Sequence, residues 1–381
     1  MKSFYLIACF LLGEWVINPV CAQLIDSKAT NETKALYNHL VSLSGKKIMF
    51  GHQDDLAYGV HWKYEDGRSD IKEVINDFPA VFGWDIGGIE HGYLNNLDSV
   101  PFDRMKKYII EAYHKGAINT ISWHTDNPVT GGNSWDTTRA VKEILPGGKY
   151  HHLFVSWLDR VATFLNSLET MNGVKIPILF RPFHELNGGW FWWGRPYCSP
   201  EEYKDLWKFT IEYLRDFRHI HQLIYVYNTN SFSNELEFTE RYPGKEFTDM
   251  LSLDIYQRAP LDASKEQLEN SSRKFEKQLK ENLKVVAQIA HQEHKLSALS
   301  ETGFEAIPVR NWWTRVLYNT IKDFPISYVL VWRNHGLMEA KNKMHYFAPF
   351  KGQKSEGDFK KLYKKKRMLF SKATKKINLY Q

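Results

Sequence analysis

Eight short apolar, β-branched runs recur along the chain, each ending in polar or aromatic residues and each followed by a helical pattern. They are Ile48–Gly51, Ala80–Asp85, Ile118–His124, Ile176–Glu185, Leu223–Asn230, Met250–Tyr256, Leu296–Glu301 and Ile326–Arg333. Amphipathic stretches such as Asp103–Lys115, Leu153–Thr170, Pro200–Phe217 and Ser264–His294 lie between them. Strands alternating with helices require a parallel sheet, and strands apolar along their whole length must be buried on both faces. Eight such units in 381 residues predict an α/β fold, a single-domain closed (β/α)8 TIM barrel. An open doubly wound sheet is the alternative, but no Gly-rich phosphate-binding turn follows the first run, and the glycines of Gly83–Gly88 are wrongly spaced for one.

Residues 1–22 read as an export signal: Lys2, the apolar run Phe4–Leu12, then Val20-Cys21-Ala22 with cleavage after Ala22. The run is too short to span a bilayer. Residues 23–381 are then the barrel domain of an exported protein, periplasmic or secreted, with lipid anchoring at Cys21 the lesser reading. Loss of the signal leaves Cys198 as the only thiol, so no intramolecular disulfide can form. A net charge of +6 is too dilute over this length to imply a nucleic-acid partner. The basic run Lys360–Arg367 reads as a solvated terminal helix. A monomer without a membrane span is expected.

Barrel enzymes carry their chemistry at the carboxyl ends of the strands. Here those ends read Gly51-His52-Gln53-Asp54, Trp84-Asp85, Trp123-His124, His184-Glu185, Asn228, Asp254-Ile255-Tyr256, Ser300-Glu301 and Trp332-Arg333. Glu185 and Glu301 close the fourth and seventh runs, on opposite sides of the mouth. Two facing carboxyls are what glycosidic cleavage needs, one to protonate the leaving oxygen and one to attack or stabilise the sugar carbon. The aromatic run Trp190-Phe191-Trp192-Trp193 after Glu185 should raise its pKa and suit it to the acid role. Glu301 would stay ionised if Tyr256 or Arg333 reaches it. Aromatic residues make up 15% of the chain, and flat rings bind the apolar faces of sugars. Trp62, Trp84, Trp123, Trp135, Trp190, Trp192, Trp193 and Trp332 all fall at strand ends or in the following loops. Neither metal nor cofactor is expected, because His151-His152 are adjacent and His291 and His294 lack a third ligand at zinc spacing.

The segment Arg181-Pro-Phe-His184-Glu185-Leu-Asn187-Gly-Gly-Trp190-Phe-Trp-Trp193-Gly194, with Ser300-Glu301-Thr302-Gly303, closely resembles glycoside hydrolase family 26. Gly51-His52-Gln53, Trp123-His124, Asp254-Ile-Tyr256 and Trp332-Arg333 extend the resemblance across the chain. It implies a retaining barrel enzyme, most members being β-mannanases, with Glu185 as general acid/base and Glu301 as nucleophile. It also implies His184 and Tyr256 as hydrogen-bonding supports of the carboxylates, and His124, Trp190 and Arg333 as contacts to the sugar. Trp123, Asp85 and His91 complete the expected substrate-binding set. The expected activity is endo-hydrolysis of β-mannan, glucomannan or galactomannan to manno-oligosaccharides, mannobiose among them. Lichenase or β-1,3-xylanase specificity on the same core, or a non-catalytic carbohydrate-binding barrel, are the alternatives.

Overall fold

The computed structural model describes residues 22–260, 262–339 and 342–381. The expected export signal, apart from Ala22, lies outside the described residues. Eight parallel strands form the barrel: β1 (Ile48–Gln53), β2 (Val81–Asp85), β3 (Ile118–Trp123), β4 (Ile178–Pro182), β5 (Leu223–Asn230), β6 (Met250–Gln257), β7 (Leu296–Phe304) and β8 (Ile326–Val331). Each pairs with the next, and β8 closes on β1 from Met49↔Tyr328 to His52↔Val331. The expected TIM barrel is the observed fold. A short strand, Met368–Leu369, also pairs in parallel with the first two residues of β1, whose own pairing with β2 starts only at Gly51.

The period-2 alternation of a strand sorts the core into two parts. One set of positions, including Met49, Val81, Leu179 and Val226, meets inside the barrel with Leu36, Tyr37 and Leu40 of helix Asn31–Leu43 and with Leu379 and Tyr380. The alternate positions, Phe50, Phe82, Trp84, Trp123 and Phe180, pack outward against the helices. Continuing the inward phase along each strand reaches Asp85, Arg181, Asn228 and Asp254, so the barrel interior turns from apolar to polar towards its mouth.

Two strand ends differ from expectation. β4 stops at Pro182, because Phe183 and Glu185 both take positive φ (50° and 53°) and turn the chain out of the sheet. β7 runs past Glu301 to Phe304 and carries a bulge: Leu253 pairs with Leu299, but Asp254 pairs with Glu301. Plain alternation from Ala298 would aim Ser300 inward and Glu301 outward. The extra residue brings Glu301 back to the inner face beside Asp254.

Candidate active site

The carboxyl ends of the strands surround a cleft of about 830 Å³. Glu185, Glu301, His124, Trp190, Tyr256 and Arg333 all line it. Glu185, Asp254 and Glu301 each place a carboxylate oxygen within 4.8 Å of the other two.

Glu301 is buried and held from two sides. Arg181, fully buried on β4, donates from Nη2 to Oε1 at 2.6 Å, and the Tyr256 hydroxyl donates to Oε2 at 2.9 Å. The same guanidinium donates to Asn228 Oδ1 at 2.9 Å and lies 3.5 Å from Asp254. Asn228 donates in turn to Asp254 at 2.7 Å. Burial and the neighbouring Glu301 push the Asp254 carboxyl well above the usual range. Three carboxylates this close resemble a metal cage, but the Arg181 cation already sits among them and supplies the compensating charge.

Glu185 is half-buried and has one side-chain donor, Trp190 Nε1 at 2.7 Å from Oε2. A side chain at Gly188 would strike the Trp190 ring, with Cβ 2.4 Å from an indole carbon, so glycine there lets the indole fold back onto Glu185. Burial, and then the negative charge of Glu301, raise the Glu185 pKa to about 7 against the pull of Trp190, His124 and Arg181. Positive φ at two non-glycine residues flanking His184 is local strain of the kind that collects at functional sites.

His124 is fixed by Asp85, whose Oδ2 lies 2.7 Å from its Nδ1. Ser122 Oγ and the Gly87 amide also donate to Asp85, at 2.6 and 2.7 Å. Burial opposes charge on both partners, yet their pairing holds Asp85 below and His124 above their ordinary pKa values. His184 touches His124 edge to face at 4.5 Å, and burial with the charges of His124 and Arg181 drives its pKa far down, keeping it neutral.

Several expected contacts fall elsewhere. Trp123 is wholly buried, donates to Glu90 at 3.0 Å and stacks on Phe154, because it occupies an outward position of β3. Asp85 is fully enclosed beneath His124 and reaches the cleft only through it. His91 pairs with Asp126 at 2.9 Å and packs on Trp157, away from the cleft. Neither ring nitrogen of His184 bonds to Glu185 or Glu301 among the described contacts, and its ring packs against His124, Phe191 and Trp193. Arg333 does line the cleft, but its partner is Asp98 at 2.7 Å, not Glu301. Of the eight rim tryptophans only Trp135, Trp190 and Trp332 line the cleft; the others are buried.

Sequence reasoning left Arg181, Asp254 and Asp98 without roles, although the first two lie inside the motifs it quoted. It also missed the hairpin Gly336–Met338 with Lys343–His345, which brings Met338, Lys343, His345 and Phe347 to the cleft wall. Glu305 clamps that hairpin, pairing with Lys343 and, at 2.8 Å, with His345.

The sequence profile of glycosyl hydrolase family 26 matches residues 25–291. The chain belongs to glycosyl hydrolase family 26. The profile match takes in Glu185 and stops short of Glu301. Mannan endo-1,4-β-mannosidase of Bifidobacterium adolescentis is 32% identical over 91% of this family 26 chain, which spans only 35% of that relative's length. A GH26 β-mannanase from Bacteroides ovatus superposes with a TM-score of 0.85 at 41% identity, covering 92% of this chain and 98% of that one. An endo-β-1,4-mannanase from Cellulomonas fimi follows with a TM-score of 0.79 at 34% identity, over 92% and 78%.

Proposed function

We propose that this family 26 chain is a retaining endo-β-1,4-mannanase, with Glu301 as nucleophile and Glu185 as general acid/base. The observation that carries the reading is the approach of the two carboxyls to within 4.8 Å. Retaining glycosidases hold them about 5–5.5 Å apart, whereas inverting ones leave roughly 6.5–9.5 Å for a water. Arg181 and Tyr256 hold Glu301 in place by donating to its two oxygens, while a pKa of about 7 keeps much of Glu185 protonated near neutrality.

In the first step Glu301 attacks the anomeric carbon while Glu185 passes its proton to the departing oxygen. In the second, the Glu185 carboxylate takes a proton from water as that water displaces Glu301, restoring both groups. His124, held by Asp85, offers its other ring nitrogen to a sugar hydroxyl, and Trp190, Trp135 and Trp332 offer apolar faces. Mannan is the substrate of choice because the relatives named above are mannanases. Leu97 and Asp98 of the loop after β2 line the cleft together with Arg333, which pairs with Asp98, and this wall supports short products such as mannobiose. No described helix is long and apolar enough to cross a membrane, and export rests on the run Phe4–Leu12.

Early-time proton NMR of mannohexaose hydrolysis tests the chemistry, with the β-anomer as the expected first product. The α-anomer would sink double displacement, and hydrolysis of lichenan or β-1,3-xylan in place of mannan would sink the specificity.

A further inference from the structure

We propose that the end of the barrel opposite the cleft is a docking surface for a lipid bilayer carrying anionic phospholipids. Pairing of Met368–Leu369 with the start of β1 brings Lys46-Lys47 beside Lys364-Lys365-Lys366-Arg367. Lys47 Nζ donates to the Lys366 carbonyl at 2.6 Å across 319 residues of sequence, and Arg367 donates to the Gly45 carbonyl at 2.6 Å. Helix Ser371–Ile377 carries Lys372, Lys375 and Lys376 onward beneath β3, tied there by Ser371 Oγ to Lys115 O at 3.1 Å and Tyr380 OH to Ala117 O at 2.6 Å. The basic run is therefore only part of a larger patch gathered by the fold.

Among the described residues none of these nine cations has a carboxylate partner; the lysines that form ion pairs are others. Nine positive charges exceed the +6 of the whole chain, with Asp77, which accepts from the Lys372 amide, the acid set against them there. Such a charge distribution orients the molecule in an anionic field. Two large apolar side chains protrude at the same end: Met171, fully exposed in the turn before β4, and Phe217, 67% exposed before β5. The carboxylates beside them, Glu169 and Asp216, are neutralised by Lys175 and Arg215.

Eight lysines and one arginine are point charges suited to a diffuse anionic layer rather than to bidentate phosphate recognition. Among the described residues a single exposed Phe, Tyr or Trp ring, Phe217, lies at this end, too few to stack successive nucleic-acid bases. Docked by this end, the molecule would turn its cleft away from the bilayer towards soluble polymer.

Co-sedimentation of the full chain with vesicles of phosphatidylglycerol and phosphatidylcholine tests the proposal. Binding should be at least about tenfold weaker to pure phosphatidylcholine, and should fall about tenfold or more from roughly 50 mM to 500 mM salt. Joint Lys364→Glu, Lys366→Glu, Lys375→Glu and Lys376→Glu substitution should cut binding by about tenfold or more, with unfolding temperature and glycan hydrolysis unchanged. Joint Met171→Ser and Phe217→Ser substitution should weaken it about threefold or more while keeping the salt dependence. Equal binding to neutral vesicles, or undiminished binding by the glutamate variant, would overturn the proposal. So would preferential capture by a soluble anionic polysaccharide, which would make the partner a polyanion.

Discussion

Glu185 and Glu301 reach the same few ångströms of space by opposite routes. Glu301 comes from within a strand, re-aimed by a bulge, and accepts hydrogen bonds from a buried guanidinium and a phenol. Glu185 comes from a turn beyond its strand, held at positive φ, with a single indole donor and aromatic surroundings. Two identical side chains thus sit in different surroundings: a cation and a phenol donate to one, while burial and a nearby negative charge favour the acid at the other.

Removing each in turn is the strongest way to break that comparison. Glu301→Ala and Glu185→Ala should each lower mannan turnover by about 10⁴-fold or more. They should part company on an aryl mannobioside whose leaving group needs no proton: Glu185→Ala should retain its first step as a burst of phenol, and Glu301→Ala should not. Identical behaviour of the two variants would dissolve the division of roles.

Arg181→Met attacks the compensation itself. Leaving Glu301 and Asp254 buried without their cation should cost about 3–5 kcal/mol of stability, readable by denaturant unfolding, together with activity. An unchanged midpoint would mean that the guanidinium does not offset the burial of these carboxyl groups.

Asp85→Asn probes His124, the neighbour whose charge acts on Glu185 from the end of β3. Without its anion His124 should lose its elevated pKa, visible by imidazole NMR, and kcat/KM should fall on the order of 10- to 100-fold, the scale of losing a histidine's orienting partner. The smallest effect belongs to Trp190→Phe. Its indole stabilises the Glu185 carboxylate, so deleting the donor raises a pKa already near 7. Because the acid must be protonated to react, the alkaline limb of kcat/KM against pH should move upward, by about half a unit to one unit. A downward shift would contradict the assigned hydrogen bond.

The eight strands were legible because apolar β-branched runs repeat with a fixed rhythm, and Glu185 and Glu301 because strand ends are where barrels display chemistry. The aromatic residues were misread for a reason of phase. Proximity to a strand end says nothing about which face a side chain takes, and Trp84 and Trp123 sit one residue out of phase with the inward Asp85 and His124. Counting in twos from Leu179 would have placed Arg181 inside the barrel, where a guanidinium demands acidic partners. The β7 bulge defeats the same counting at Glu301, since no residue near Ser300 announces it. The hairpin after β8 was beyond reach because its residues act through contacts with Glu305, some 40 positions away in sequence.

Closure of the barrel fixes the order in which its parts can mature. β1 has to wait for β8 and for the Met368–Leu369 strand, contacts that span most of the chain and carry a correspondingly slow search. Until they arrive, β1 and β7 present unpaired parallel edges, open to other chains in the same condition. The β7 bulge needs β6 and β8 on either side to be held in shape. Glu301 therefore depends on the late strands, and a chain lacking β7 and β8 would keep Glu185 with no facing carboxyl.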